Sequence, residues 1–160
     1  MSDPTPTTGI TGLKGMLPRL FSKHGAYTAA LGEVLRLTKI NHPKSDASIV
    51  ERAFVAAELA HRDQLRKSGE PYITHPLAVA QIAAGELGLG TTSVVCALLH
   101  DVVEATEITL DDIEHRFGST ITSIINGLTK ISVVFETVDR DASVQAENFK
   151  KMLLTLGEDL

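Results

Sequence analysis

Tryptophan is absent from these 160 residues, aromatic residues make up only 4%, and cysteine occurs once. A core without aromatic bulk has to be filled by Leu, Ile, Val and Ala, the usual filling of packed helices. The lone cysteine, Cys96, has no partner for an internal disulfide, so an oxidising compartment has no structural role here. It lies in the apolar run from Ser93 to Leu99 and reads as a buried small hydrophobe. No apolar run is long enough for a spanning helix, and the start of the sequence lacks the basic-then-apolar layout of a secretory signal. The cytoplasm is the expected location, with no membrane partner. Basic charge is also short, with 15 Lys and Arg against 20 Asp and Glu, a net charge of −5. That argues against direct binding to a nucleic-acid backbone, which needs a basic surface. It leaves room for a small anionic ligand held by a few local cations.

What the chain does contain is helical periodicity. Residues 1–26 carry Pro4, Pro6, Pro18 and four glycines, a composition expected to form a flexible N-terminal arm, with Leu13 to Phe21 able to dock as a short helix. Residues 27–160 are expected to form one domain. Leu31, Val34, Leu35 and Leu37 place an apolar stripe on a helix over 28–40. Ser45 or Asp46 caps a second helix, expected to reach about Gln64. A loop over 67–74 follows, then a helix opening at Pro76, whose missing N–H costs nothing there. Thr91 or Thr92 caps the next helix, expected to reach about Val103. A short helix spans 110–117 with Asp111 and Asp112 in its first turn, Gly118 breaks it, and another runs from Ile121 to about Lys130. Ile131 to Phe135 is the one stretch where a strand competes. Residues 143–160 again show helical spacing, and no C-cap follows Leu160. The expected fold is all-α, a multi-helix bundle that forms the N-terminal piece of a longer chain.

The chemistry concentrates in two places. His100-Asp101 ends the apolar helix, where burying an unpaired charge is expensive. A divalent ion such as Mn, Fe or Zn removes that objection, since imidazole and carboxylate both ligate it. The alternative is a histidine at a helix C-terminus beside a solvated aspartate. His75 stands upstream, just before Pro76, and Glu104 follows His100 by one helical turn. Two histidines, an aspartate and a nearby glutamate are the set needed to polarise phosphate and activate water. The second concentration is Arg66-Lys67-Ser68, in the loop leading to His75. It suits an anionic phosphate, and a guanidinium also stacks on a base; the alternative is an ordinary solvated loop. His24, His42, His61 and His115 lack such company and read as surface or core residues.

Arg66 to Pro76 resembles the RKSGEPYxxHP motif of the RelA/SpoT-type (p)ppGpp synthetase/hydrolases, and Leu98 to Glu104 resembles their LLHDVVED motif. Ile108-Thr109-Leu110, Phe117-Gly118, Gly127 to Lys130 and Ala146 to Leu153 continue the likeness in order, so that it covers roughly 53–159. The resemblance implies a helical HD domain that removes the 3′-pyrophosphate of (p)ppGpp with Mn²⁺. It implies His75, His100 and Asp101 as metal ligands and Glu104 as the residue acting on the attacking water. Arg66 would pack on the guanine with Lys67 and Ser68 beside it, and Lys130 is a weaker candidate for phosphate. The parent protein would carry synthetase and regulatory domains beyond this segment and meet ribosomes through them.

Two departures matter. The family's Glu-Asp pair is here Glu104-Ala105, and the Asp of an ADRLHN-type motif, its fourth metal ligand, is not in this sequence. Hydrolysis is the first reading. The first rival is a nucleotide-binding, regulatory domain of a parent that is mainly a (p)ppGpp synthetase (a GTP pyrophosphokinase). Hydrolysis of another nucleotide, or a plain helical interaction module, are further alternatives.

Overall fold

Helices make up most of the backbone in the computed structural model, which describes residues 25–135 and side chains as far as Lys130. A 3-10 turn, Gly25–Tyr27, leads into α1 (Thr28–Asn41), followed by α2 (Ala47–Ala60), α3 (Thr74–Gln81), α4 (Thr91–Leu99), α5 (Val102–Ala105), α6 (Leu110–Phe117) and α7 (Ser119–Phe135). No strand is present among the described residues, so the all-α expectation holds. Of the expected arm over 1–26, Gly25 and Ala26 belong to the 3-10 turn, while residues 1–24 and the expected helix over 143–160 lie outside the described residues.

α4 is the centre of the bundle. Val94 to Leu99 are all fully buried, so this helix is apolar all round, as a helix enclosed by others must be. It packs against α2, α3 and α7, while α1 lies across α3 and α6 lies against α7. Phe54 from α2, Leu98 and Leu99 from α4, Ile113 from α6 and Ile125 from α7 are the largest side chains of the shared core. Each buried Leu, Ile or Phe contributes about 1.5–3 kcal/mol of transfer free energy.

The helix ends explain themselves in most places. Asp46 caps α2, its carboxylate accepting from the Ser48 N–H at 2.9 Å and from the Ser48 hydroxyl at 2.7 Å. Thr109 and Asp112 form a reciprocal capping box at the start of α6, and Gly118 closes that helix at φ +89°. A π-turn, Ile82–Glu86, extends α3 and is held to α1 by the Asn41 amide, which donates to the Ala84 carbonyl at 2.8 Å. Gly85 permits that approach, because a Cβ there would sit 3.0 Å from Leu37 Cδ1.

Four expectations need correcting. α2 stops at Ala60 rather than near Gln64, because His61 turns away from helical geometry. α3 begins at Thr74, so Pro76 is its third residue; its absent N–H is still one of the first-turn donors that lack a helical acceptor. α4 is preceded by Gly90 with no side-chain cap and ends at Leu99, short of Val103. α7 runs on through Phe135, which settles Ile131 to Phe135 as helix.

Candidate metal centre

The centre forms where the core helix stops. No glycine or proline ends α4; His100 (φ −58°, ψ −37°) and Asp101 (φ −90°, ψ −7°) stay near helical values, and the Ala105 N–H donates to the Asp101 carbonyl at 2.9 Å. The chain therefore keeps its direction, and Glu104 follows in α5. His100 Nδ1 lies 2.7 Å from the Ala97 carbonyl oxygen. A carbonyl only accepts, so Nδ1 carries the proton and Nε2 faces the site.

His75 reaches the same point from the first turn of α3, rather than from the preceding loop as its place before Pro76 suggested. Its Nε2 lies 3.4 Å from Asp101 Oδ2, and His100 Nε2 lies 3.1 Å from Asp101 Oδ1. The two imidazoles meet edge to face with centroids 5.3 Å apart. One donor atom from each of His75, His100 and Asp101 lies within 4.8 Å of the other two. Neighbouring donors on an octahedral ion with bonds of about 2.1 Å are about 3.0 Å apart, so the two measured spacings fit one divalent cation. The donors suit Mn, Fe or Zn. The side chains keep 8%, 12% and 16% exposure, which leaves a way in for water or a substrate oxygen.

The electrostatics divide the two histidines. Burial drives the His75 pKa down to about 4, helped by the positive charge of His100, so His75 is neutral near pH 7. Burial works against charge on His100 as well, but the adjoining Asp101 carboxylate, the Ala97 carbonyl and Glu104 outweigh it and raise its pKa. Burial disfavours the Asp101 carboxylate too, yet His100, His75 and the Tyr72 hydroxyl hold its pKa below the ordinary carboxylate range. Without a metal, the Asp101 carboxylate therefore favours the charged form of His100, while burial keeps the neighbouring His75 neutral near pH 7.

Around this trio, Glu104 is exposed on α5, near enough for its charge to bear on His100 and Tyr72. Arg66 stands at the foot of a tight hairpin closed by the Leu65–Pro71 bridge and by its own N–H donating to the Glu70 carbonyl at 2.8 Å. Gly69 turns that hairpin at φ +88°. Lys67 and Ser68 are exposed at its tip, while Arg66 is half-buried and close enough for its charge to lower the pKa of Tyr72 and His75. Lys130 is exposed on α7, an element that carries none of the trio.

Two neighbours had no role assigned from sequence. The Tyr72 hydroxyl donates to Asp101 Oδ2 at 2.8 Å. His61, read as a surface or core residue, is in the core at 2% exposure and stacks on the Tyr72 ring at 4.5 Å. Its Nδ1 is 2.8 Å from Gln64 Oε1, while its buried Nε2 has no hydrogen-bond partner among the described residues, a deficit that costs about 1–3 kcal/mol. For Tyr72 the signal in the sequence is its fixed place in the RKSGEPYxxHP pattern, three residues before His75; for His61 there is none. His42 and His115 are exposed, and His24 lies outside the described residues.

An all-α bundle whose core helix ends in a His-Asp pair facing a second histidine presents a group of donors that could hold a metal ion. The HD-domain family model matches residues 53–160. The chain is 39% identical over 141 residues to a probable GTP pyrophosphokinase of Mycobacterium leprae, covering 88% of this chain and 17% of that protein. It is 42% identical over 136 residues to the GTP pyrophosphokinase of Streptomyces coelicolor, covering 83% and 16%. It is 40% identical over 118 residues to the bifunctional (p)ppGpp synthase/hydrolase SpoT of Escherichia coli K12, covering 74% and 16%. The chain belongs to the HD-domain family, of the RelA/SpoT type. It spans about one sixth of the length of these relatives. No helix among the described residues is long and apolar enough to cross a membrane.

Proposed function

We propose that this domain hydrolyses the 3′-pyrophosphate of (p)ppGpp in the cytoplasm, with Mn²⁺ held by His75, His100 and Asp101. The convergence of those three donors within 4.8 Å carries the reading, and relatives named as (p)ppGpp hydrolases support the substrate. When bound, the divalent ion supplies Lewis acidity toward a phosphate oxygen and lowers the pKa of water. The protein's own residues do the rest. Glu104 takes the proton of the water that attacks the phosphorus next to the ribose. The bond from that phosphorus to the ribose 3′ oxygen breaks, pyrophosphate leaves, and the 3′ oxygen takes a proton, giving GDP or GTP. Arg66 packs on the guanine, with Lys67 and Ser68 beside it at the hairpin tip. Lys130 is a further candidate for a phosphate contact. Ribosome contacts, where the parent protein makes them, belong to other domains, and this domain takes no nucleic acid directly.

Ala105 supports a second reading. The family's carboxylate is missing at an exposed position beside Glu104, and several relatives bear the name GTP pyrophosphokinase. On that reading the domain binds (p)ppGpp and regulates a synthetase. Product analysis separates the two. The hydrolytic reading predicts GDP and pyrophosphate in equal amounts from ppGpp with Mn²⁺, and no comparable turnover of GTP. Saturable ppGpp binding without products would favour the regulatory reading.

A further inference from the structure

We infer that Tyr72, backed by His61 and Gln64, is a positioning residue for this centre: the three form a bracket that fixes the Asp101 carboxylate and the short helix bearing Glu104. The inference rests on the metal-site reading above and extends it to residues that touch neither metal nor substrate.

The bracket can be followed atom by atom. Asp101 Oδ2 accepts from the Tyr72 hydroxyl at 2.8 Å while facing His75 Nε2 at 3.4 Å. That hydrogen bond occupies one lone-pair direction of Oδ2 and so selects the carboxylate rotamer that presents its remaining lone pairs to the two histidines. Tyr72 is itself held at both backbone groups. Its N–H donates to the Gln64 carbonyl at 3.0 Å, and its carbonyl accepts from the His75 N–H at 3.0 Å. Behind its ring lies His61, stacked at 4.5 Å with 28° between planes. The His61 ring is oriented in turn by Nδ1–H donating to Gln64 Oε1 at 2.8 Å, and the Gln64 amide donates to the Ala105 carbonyl. The Ala105 N–H returns to the Asp101 carbonyl at 2.9 Å and closes the circuit.

Glu104 lies inside that circuit. α5 has only four residues, too few to hold a catalytic side chain by its own hydrogen bonds. Gln64, 41 residues away in sequence, ties down its last carbonyl. With Nδ1 committed to Gln64 and Nε2 buried without a partner among the described residues, the contribution of His61 is a flat face against Tyr72.

The test is a calorimetric titration of the full 160-residue chain with Mn²⁺, alongside the visible absorption of the Co²⁺-loaded protein, whose ligand-field bands report donor geometry. Tyr72→Phe keeps the stack on His61 and removes only the hydroxyl. It is expected to weaken Mn²⁺ binding by about 10- to 100-fold, as loss of a ligand-orienting partner does, and to shift the Co²⁺ bands while far-ultraviolet circular dichroism stays unchanged. Gln64→Ala, at a half-buried turn outside the helices, is expected to leave Mn²⁺ affinity within about threefold of wild type, since no ligand is touched directly, and to lower kcat at saturating Mn²⁺ with little change in KM. Saturable binding by the wild type with the same affinity and the same Co²⁺ spectrum in Tyr72→Phe would overturn the bracket and leave the metal site standing. No saturable binding by the wild type would overturn both.

Discussion

Loading the centre with a divalent ion should stabilise the fold by an amount that depends on pH in a defined direction. In the metal-free protein His75 is neutral, with its pKa pushed down to about 4 by burial, and enters the metal's coordination without losing a proton. His100 has its pKa raised by the Asp101 carboxylate and must give up its Nε2 proton to become a ligand. Metal binding therefore releases up to one proton, and affinity rises with pH until His100 is neutral. The metal-free fold behaves in the opposite sense. A raised folded-state pKa on His100 contributes stability that is fully present below its unfolded value and is lost as pH rises through the folded one. At an ion concentration of about 100 times Kd the gain is about 2.7 kcal/mol. For a chain of this size that raises Tm by about 5–10 °C. The assay is a melting curve with and without Mn²⁺ at two pH values, for wild type and His100→Ala. The rise should be larger at pH 8 than at pH 6 and should vanish in the variant. An equal rise in His100→Ala, or a rise that shrinks with increasing pH, would refute the reasoning.

Other outcomes follow from the same geometry. Glu104→Gln should lower kcat for ppGpp hydrolysis by about 10²–10⁴-fold with Mn²⁺ affinity kept, measured by pyrophosphate release and titration. Ala105→Asp, at an exposed position where the side chain meets no packing constraint, should raise hydrolysis by a similar order; little change would move the weight to the regulatory reading. Leu98→Ala removes a fully buried side chain from the central helix and should cost about 2–5 kcal/mol in urea unfolding without loss of helical signal in the native state. Cys96, fully buried with its thiol pKa pushed up to about 12 by burial, should resist thiol reagents at pH 8 until the chain is unfolded. The unfolded chain releases that proton first, so stability should fall as pH rises past the thiol's ordinary value.

The helix plan was legible where local chemistry decides it. α6 matches its expected bounds because Thr109, Asp112 and Gly118 supply start and stop signals within its own sequence. The end of α4 was not legible, because nothing in Leu99-His100-Asp101 breaks a helix by propensity. The interruption coincides with the convergence of His100 and Asp101 on His75, which is a tertiary matter. The end of α2 at Ala60 has a similar origin, since the turn at His61 places its ring against Tyr72 across the loop.

For the centre, residue types and motif order brought His75, His100 and Asp101 to notice, and the fold gathers them. The bracket was hidden. A stacked ring pair and a glutamine bridging a histidine to a distant carbonyl leave no periodic trace, and His61 has no company in the sequence beyond that of a surface or core histidine. The Arg66 hairpin shows a middle case, with a basic loop leading to His75 evident from the sequence, and the turn at Gly69 and the nearness of Arg66 to His75 supplied only by folding.

Pyrophosphate release from ppGpp by this chain, with Mn²⁺ and with a chelator, in wild type and Asp101→Ala, tests the central claim most directly. Metal-dependent release by the wild type, abolished by the chelator and in the variant, is the predicted result. Release that persists in Asp101→Ala, or that ignores the chelator, would contradict a reaction centred on His75, His100 and Asp101.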